Sequence, residues 1–277
     1  MMNQFKTVAL LGLLSGLLVS LSYSLGGSGG ALMGVAFAAI MNLGSWFYSD
    51  KIALAAYQAQ PVSAQDAPQL HAMVAKLTDR AQMPMPQVYI IPSPAANAFA
   101  TGRDPDHAAV AVTQGIMQML PPEELEAVIA HELSHIYNRD TLTQAVAATV
   151  AGAISWLAQM AFWFMGSSRD DDGPNPLVAL VGVLVAPLAA TIIQLGISRT
   201  REFAADAGAA RLMGNPRALA NALRRLELGS QQLPLDANPA FAPLLIMGVP
   251  SRQMLANLFS THPSTQDRIQ RLLDLDR

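Results

Sequence analysis

The sequence predicts an α-helical membrane protein that carries an α+β domain. The 277-residue chain is 52% hydrophobic and only 13% charged, whereas an average soluble protein is about 25% charged. Four apolar stretches of about 20 residues contain no Asp, Glu, Lys or Arg, and each is long enough to cross a bilayer as a helix. Two longer polar segments have helix and strand patterns, so they predict a globular domain beside the helices.

The apolar stretches form two pairs, which predict about four transmembrane helices. They lie at about 7–25 and 31–48, on either side of a glycine-rich turn at 26–30, and at about 141–165 and 177–197. The predicted organisation is a transmembrane hairpin, a polar segment, a second hairpin and a second polar segment, at 1–48, 49–140, 141–197 and 198–277.

Two of the stretches have alternative interpretations. The first could be a cleaved signal peptide, because Lys6 precedes the apolar run. A second apolar run follows at once without a clear cleavage site, which favours a retained pair. The fourth contains Pro187 and could be a buried helix of a soluble protein. Proline is tolerated in membrane helices, so a span is favoured there as well.

The placement of positive charge predicts the topology. Of the 17 Lys and Arg residues, only Arg169 lies in the loops at 26–30 and about 166–176. The opposite ends of the four stretches carry Lys6, Lys51, Arg139, Arg199 and Arg201. Because Lys and Arg accumulate on the cytoplasmic side, both polar segments are expected in the cytoplasm.

The polar segments have recognisable secondary-structure patterns. A helix is predicted over about 64–82, three strands over 88–91, 97–102 and 109–113, and a mostly helical tail after 198. Pro121 and Pro122, followed by two glutamates, predict the start of another helix.

Composition also excludes several classes of function. The net charge of −3 argues against a nucleic-acid partner, which would require a basic face. The absence of cysteine excludes disulfides, thiolate metal sites and cysteine nucleophiles. Any metal must therefore be held by histidines and carboxylates.

The motif His131-Glu132-Leu133-Ser134-His135 predicts a metal centre. On a helix, residues four apart are about 40° apart around the axis, so both imidazoles face one point, as a tetrahedral zinc ion requires. Glu132 lies beside the first ligand, where it could act as the general base toward water activated by the metal. The alternative is a surface pair of histidines with an exposed glutamate between them.

Zinc hydrolases usually use three protein ligands, and Glu202 is the candidate for the third. It follows the fourth apolar stretch directly, and two spans would return the chain to the side of the histidines. Asp206 lies one helical turn later and could accept a hydrogen bond from a ligand imidazole. The alternative for Glu202 is an ordinary salt-bridged helix residue.

These motifs resemble those of the HtpX-type membrane metalloproteases of family M48, relatives of the CAAX-processing Ste24 enzymes within the gluzincin group. The resemblance rests on NAFATG, HELSH, SRTREFAAD after a hydrophobic hairpin, and FSTHPS. It implies a zincin-like (gluzincin) catalytic domain with one Zn²⁺ per chain at His131, His135 and Glu202, and with Glu132 as the catalytic base. It also implies a multi-pass protein of the bacterial inner membrane in membrane-protein quality control and the stress response.

The resemblance implies two further catalytic residues. His262 corresponds to a family histidine that faces the pocket and could donate to the oxyanion, although it could also be an ordinary residue at a helix start. Asn97 corresponds to an asparagine near a substrate-binding edge strand, although it could also be a turn residue.

The expected partners are protein or peptide substrates, above all membrane proteins, together with the lipid bilayer. An exposed strand edge near 88–113 would bind an extended peptide by β-augmentation. An open protease would be hazardous in the cytoplasm, so the tail near 230–250 is expected to cover the site. The sequence does not indicate an oligomeric state.

Two other classes of protein compete with this prediction. A catalytically silent scaffold could keep the metal for folding, but it would not need Glu132. A transporter or channel would place its ionisable residues inside the spans, whereas here they lie outside them.

Overall fold

The computed structural model of the chain describes residues 2–151, 199–235, 241–247 and 263–276. Its helices are α1 (Met2–Ala56), α2 (Pro68–Ala81), α3 (Gln114–Met119), α4 (Pro122–Tyr137), α5 (described over Thr141–Ala151), α6 (Arg199–Met213), α7 (Pro216–Gln232) and α8 (Thr265–Asp274). Its strands are β1 (Gln60–Pro61), β2 (Gln87–Ile91), β3 (Ala98–Gly102) and β4 (Ala108–Thr113). Most of the third predicted span and all of the fourth lie outside the described residues.

Helix α1 folds back on itself at Gly27, whose φ of +59° is a left-handed conformation that glycine adopts readily. The two arms then approach closely, since a Cβ added at Gly34 would lie 3.0 Å from the Cα of Val19. Further along, the Asn42 Nδ2 donates to the Ser15 Oγ over 2.8 Å. The arms therefore run antiparallel from the glycine-rich turn.

Among the described residues, one helix is long and apolar enough to cross a membrane, namely Gly27–Ala56. Phe5–Ser20 and Thr141–Ala151 are shorter apolar helices. Large apolar side chains point outward along α1, including Phe5, Leu32, Met33, Ile40 and Leu43. A helix on a water-soluble protein normally turns such side chains toward the core.

The four strands form one sheet in the order β1-β2-β4-β3. β2 and β4 are parallel, and β3 pairs with β4 in the antiparallel sense, with Ala100 opposite Val110. The three strands predicted from the sequence are confirmed, and the two-residue β1 was not predicted. β3 is an edge strand, so alternate residues direct their backbone groups away from the sheet.

The sheet separates two hydrophobic clusters. On one side, Val110 and Ala100 pack with α2, α4 and α7. On the other side, Phe99 and Ala111 pack with the arms of α1 and with Val146 of α5. Helix α4 is buried from Glu124 to Ile136, because it lies between the sheet and the pair α6–α7.

We expect Gly115→Ala to destabilise the protein. Gly115 is the second residue of α3 and donates its N–H to the Ser93 carbonyl over 2.9 Å. An added Cβ would overlap the main chain of Pro94. Overpacking of this kind typically costs about 1–3 kcal/mol, so the thermal midpoint in detergent should fall. Gly44→Ala is the control, since nothing lies within 4 Å of its added Cβ. Equal midpoints for the two variants would contradict this account.

Candidate metal centre

Helix α4 brings the two histidines of the motif together. His131 and His135 are 1% and 4% exposed, and their Nε2 atoms lie 3.2 Å apart. The rings are perpendicular to each other. Each ring thus directs one nitrogen toward the same small volume.

Glu202 reaches this volume from α6. Its Oε1 lies 3.5 Å from the His135 Nε2, and its Oε2 lies 3.8 Å from the His131 Nε2. Glu202 is 1% exposed. The candidate ligand atoms of the three residues lie within 4.8 Å of one another, so the structure brings together the three predicted ligands.

The three groups fit a metal ion such as zinc. Two nitrogens bound to one tetrahedral zinc at the usual bond length lie about 3.3 Å apart, close to the 3.2 Å between the imidazoles. Two imidazoles and one carboxylate are a donor set of catalytic zinc sites, which leave one position open. The outer nitrogens of both rings face carboxylates, and both inner nitrogens face the carboxylate of Glu202.

Asp206 holds the outer nitrogen of His131. It lies one turn beyond Glu202 on α6, and its Oδ1 lies 2.9 Å from the His131 Nδ1. Arg268 of α8 donates to both Asp206 oxygens, over 2.7 and 2.9 Å. Burial alone would raise the pKa of Asp206, but the charge of Arg268 and hydrogen bonds from Arg268 and His131 lower it to about 2.

A second carboxylate faces the other ligand. The Asp140 Oδ2 lies 3.2 Å from the His135 Nδ1, and the Arg201 Nε lies 4.0 Å from the Asp140 Oδ1. Burial would lower the pKa of His135, but the hydrogen bond to Asp140 and the nearby carboxylates raise it. Sequence reasoning missed Asp140, although an acid five residues after a candidate ligand was a visible signal.

Sequence reasoning also missed Arg268, for which no local pattern gave a signal. Its side chain is 3% exposed and its Nη1 lies 3.7 Å from the Glu202 Oε2. Arg268 therefore sits between a candidate ligand and the carboxylate that supports another. Its pKa is raised because the buried carboxylates around it, first Asp206, outweigh the effect of burial.

Glu132 is 2% exposed and lies between the metal-binding groups and the edge strand. Its carboxylate accepts a hydrogen bond from the backbone N–H of Ala100 in β3. Burial raises its pKa, against the lowering effect of the two histidines. A carboxyl group in such surroundings is suited to taking up a proton.

Asn97 contacts a different part of the chain. Its Nδ2 donates to the Met247 carbonyl over 3.1 Å, and its Oδ1 accepts from the Met247 N–H over 3.3 Å. The Ile246 N–H donates to the carbonyl of Ala98 over 2.9 Å. Asn97 thus lies at the start of the edge strand with its amide bonded to backbone, and its catalytic role stays a prediction. His262 lies outside the described residues.

Comparison with known proteins identifies related peptidases. The model of peptidase family M48 matches residues 64–276. A "Protease HtpX homolog" from Acaryochloris marina is 65% identical over 280 residues, covering 100% of this chain and 96% of that protein. The homolog from Nostoc punctiforme is 66% identical over 280 residues, covering 99% and 97%. The homolog from Syntrophotalea carbinolica is 50% identical over 276 residues, covering 98% of each.

A solved structure shares the fold. The crystal structure of Ste24p from S. mikatae superposes with a TM-score of 0.54 and 18% identity. The match covers 98% of this chain, but this chain spans only 65% of the Ste24p chain. At this level of identity the likeness concerns the fold alone.

Arg268→Met should destabilise the metal-free protein strongly. The change removes the bidentate hydrogen-bond partner of the buried Asp206 carboxylate. Breaking a buried ion pair in this way costs roughly 3–5 kcal/mol. The control is Arg217→Met, which removes an Arg–Asp pair of 2.6 Å whose arginine side chain is 70% exposed. Exposed pairs contribute about 1 kcal/mol or less. Denaturant unfolding of chelator-treated protein in detergent measures both, and similar losses would contradict the prediction.

Proposed function

The chain belongs to peptidase family M48, and we propose that it is a membrane-held zinc endopeptidase that cleaves unfolded or misfolded protein segments on the cytoplasmic side of a bacterial inner membrane. The family and the HtpX relatives indicate a membrane metalloprotease. The observation that carries the finer proposal is the convergence of His131, His135 and Glu202, with Glu132 buried between them and an edge strand.

The three converging residues would hold the zinc ion, one per chain. When bound, zinc would supply Lewis-acid polarisation of the scissile carbonyl and would acidify water in the site. The outer nitrogen of His131 faces Asp206, so a hydrogen bond to this carboxylate fixes the tautomer in which the inner nitrogen is free to bind.

Glu132 would move the protons. Its buried carboxylate lies beside the metal-binding groups, where it would act as the general base. It would take a proton from the attacking water and later deliver it to the leaving amine. The hydrogen bond from the Ala100 N–H keeps the carboxylate beside β3, where a bound peptide would lie.

The outward edge of β3 would bind the substrate backbone. Extended peptides add to exposed strand edges through main-chain hydrogen bonds, with little dependence on sequence. In the structure, the Ala98 carbonyl accepts a hydrogen bond from the Ile246 N–H, and the Asn97 side-chain amide donates to the Met247 carbonyl. A peptide that takes this position must displace these two residues, which supports the expectation that the tail covers the site.

Stabilisation of the oxyanion is proposed for His262 and Asn97 on the basis of the family motifs. Asn97 would become available for this task once Met247 has left its amide. A positioned hydrogen-bond donor toward a developing oxyanion contributes about 10²- to 10³-fold in rate.

The membrane arrangement is proposed from both sequence and structure. The outward apolar side chains of α1 and the apolar α5 support a membrane-embedded scaffold, with about four spans and the boundaries predicted above. Charge placement supports a cytoplasmic catalytic domain. Because α4 and α5 are separated only by residues 138–140, the site would lie near the headgroups, where membrane-protein segments emerge.

Replacing the proposed base should abolish cleavage but preserve metal binding. Purified wild type and Glu132→Gln, in detergent, should each bind about one zinc ion, while casein cleavage should fall roughly 10²- to 10⁴-fold in the variant. Glu123→Gln, an exposed change in the same helix, should keep full activity. Removing zinc with a chelator should stop wild-type cleavage, and adding zinc back should restore it. Zinc-loaded wild type that never cleaves any protein would favour the silent scaffold.

Ile246 and Met247 cover the outward edge of β3. Loosening these covering residues should raise activity. Ile246→Pro removes the N–H that bonds to Ala98, and Leu245, with φ −76° and ψ 142°, already has the extended conformation favoured before proline. Casein cleavage is therefore expected to rise several-fold. The control is Ile246→Ala, which keeps the N–H but removes most of the buried side chain. It distinguishes loss of the hydrogen bond to Ala98 from loss of side-chain packing. Unchanged or lower activity in the proline variant would mean that these residues do not compete with substrate.

A further inference from the structure

The two histidines of the candidate centre are supported from different parts of the chain. His131 is held by Asp206 and Arg268, from helices α6 and α8. His135 faces Asp140, which precedes α5, and Asp140 faces Arg201 at the start of α6. Asp140 directly precedes the apolar stretch at 141–165, and Arg201 follows closely after the stretch at 177–197.

The turn after α4 is shaped so that Asp140 points back at the helix. Arg139 has φ +57°, a left-handed conformation that is uncommon for a residue with a side chain. The Asp140 N–H then donates to the His135 carbonyl over 2.9 Å. This reversal of the chain places the Asp140 carboxylate beside the ring of His135, which lies five residues earlier in the sequence.

The surroundings of Asp140 leave it little freedom. Asp140 is 2% exposed and Arg201 is 9% exposed, so neither group can exchange its neighbours easily for water. The ammonium of Lys6, at the start of α1, also lies within electrostatic range of both. Next to them, the Thr141 Oγ1 donates to the carbonyl of Gly102 over 2.8 Å. Asp140 is therefore fixed between the edge strand, the first arm of α1 and the metal-binding groups.

We propose that Asp140, held by Arg201, is a positioning residue that orients His135 for metal binding. The inference rests on the proposed metal centre and adds a second carboxylate–imidazole pair to it. A hydrogen bond from the His135 Nδ1–H to Asp140 fixes the tautomer and the rotation of the ring, and it strengthens the Nε2 as a ligand. The zinc affinity then depends on residues that border the apolar stretches.

Asp140→Asn tests this inference, because asparagine keeps the shape but removes the charge. Loss of such a supporting carboxylate should weaken zinc binding roughly 10- to 100-fold, measured on full-length protein in detergent by competition with a chelator of known affinity. The matched control is Asp104→Asn, which alters an exposed imidazole–carboxylate pair, with the Asp104 Oδ1 2.7 Å from the His107 Nδ1. The control should bind zinc as the wild type does.

A spectroscopic measurement separates positioning from general support of the fold. The visible ligand-field spectrum of the Co²⁺-loaded protein reports ligand geometry, so Asp140→Asn should shift its bands, whereas a general loss of stability would leave them unchanged. If Asp140→Asn binds zinc with the affinity of the wild type, this inference is overturned but the proposed function is not. An affinity loss with an unchanged cobalt spectrum would also overturn it. Wild type that binds neither metal would overturn the proposed function as well.

Discussion

The stability of the candidate metal centre depends on how the charges of its buried groups are balanced, because these groups are shielded from water. In the described part of the chain, four buried carboxyl groups surround the two imidazoles, those of Glu132, Asp140, Glu202 and Asp206. Buried charges must be compensated by partners, since desolvation otherwise destabilises them strongly. The buried guanidinium groups of Arg201 and Arg268 balance part of this negative charge, and a bound divalent cation would balance more of it.

Edge strand β3 connects the parts of this site through its outward backbone groups. Its carbonyl at Ala98 accepts from Ile246, its N–H at Ala100 donates to Glu132, and its carbonyl at Gly102 accepts from Thr141. The strand therefore contacts, in order, the covering residues, the proposed base and the start of α5. A peptide that bound along this edge would lie beside the proposed base and the metal ligands.

Local periodicity explains why part of the site could be predicted from sequence. His131 and His135 converge because residues four apart share a helix face, and Asp206 follows Glu202 by the same interval. Asp140 escaped prediction because it reaches His135 only through the left-handed turn at Arg139.

Long-range placement set the limit of sequence reasoning. Arg268 approaches the site from α8, which is distant in the sequence. The strand order, with β3 at the edge beside β4, depends on tertiary packing that periodicity in the sequence does not reveal. The strands themselves were predictable from short apolar runs between turns. Two-residue β1 pairs with β2 only through its tertiary position.

The wide spacing of the site residues along the chain has a consequence for biosynthesis. The first histidine of the motif stands at position 131, whereas Arg268, which holds Asp206 in place, comes 137 positions later. At typical rates of translation, on the order of ten seconds separate the synthesis of the two. During that interval the nascent chain has no Arg268 to hold Asp206 beside His131. The support of His131 is thus completed only after α8 has been synthesised, long after the motif helix itself.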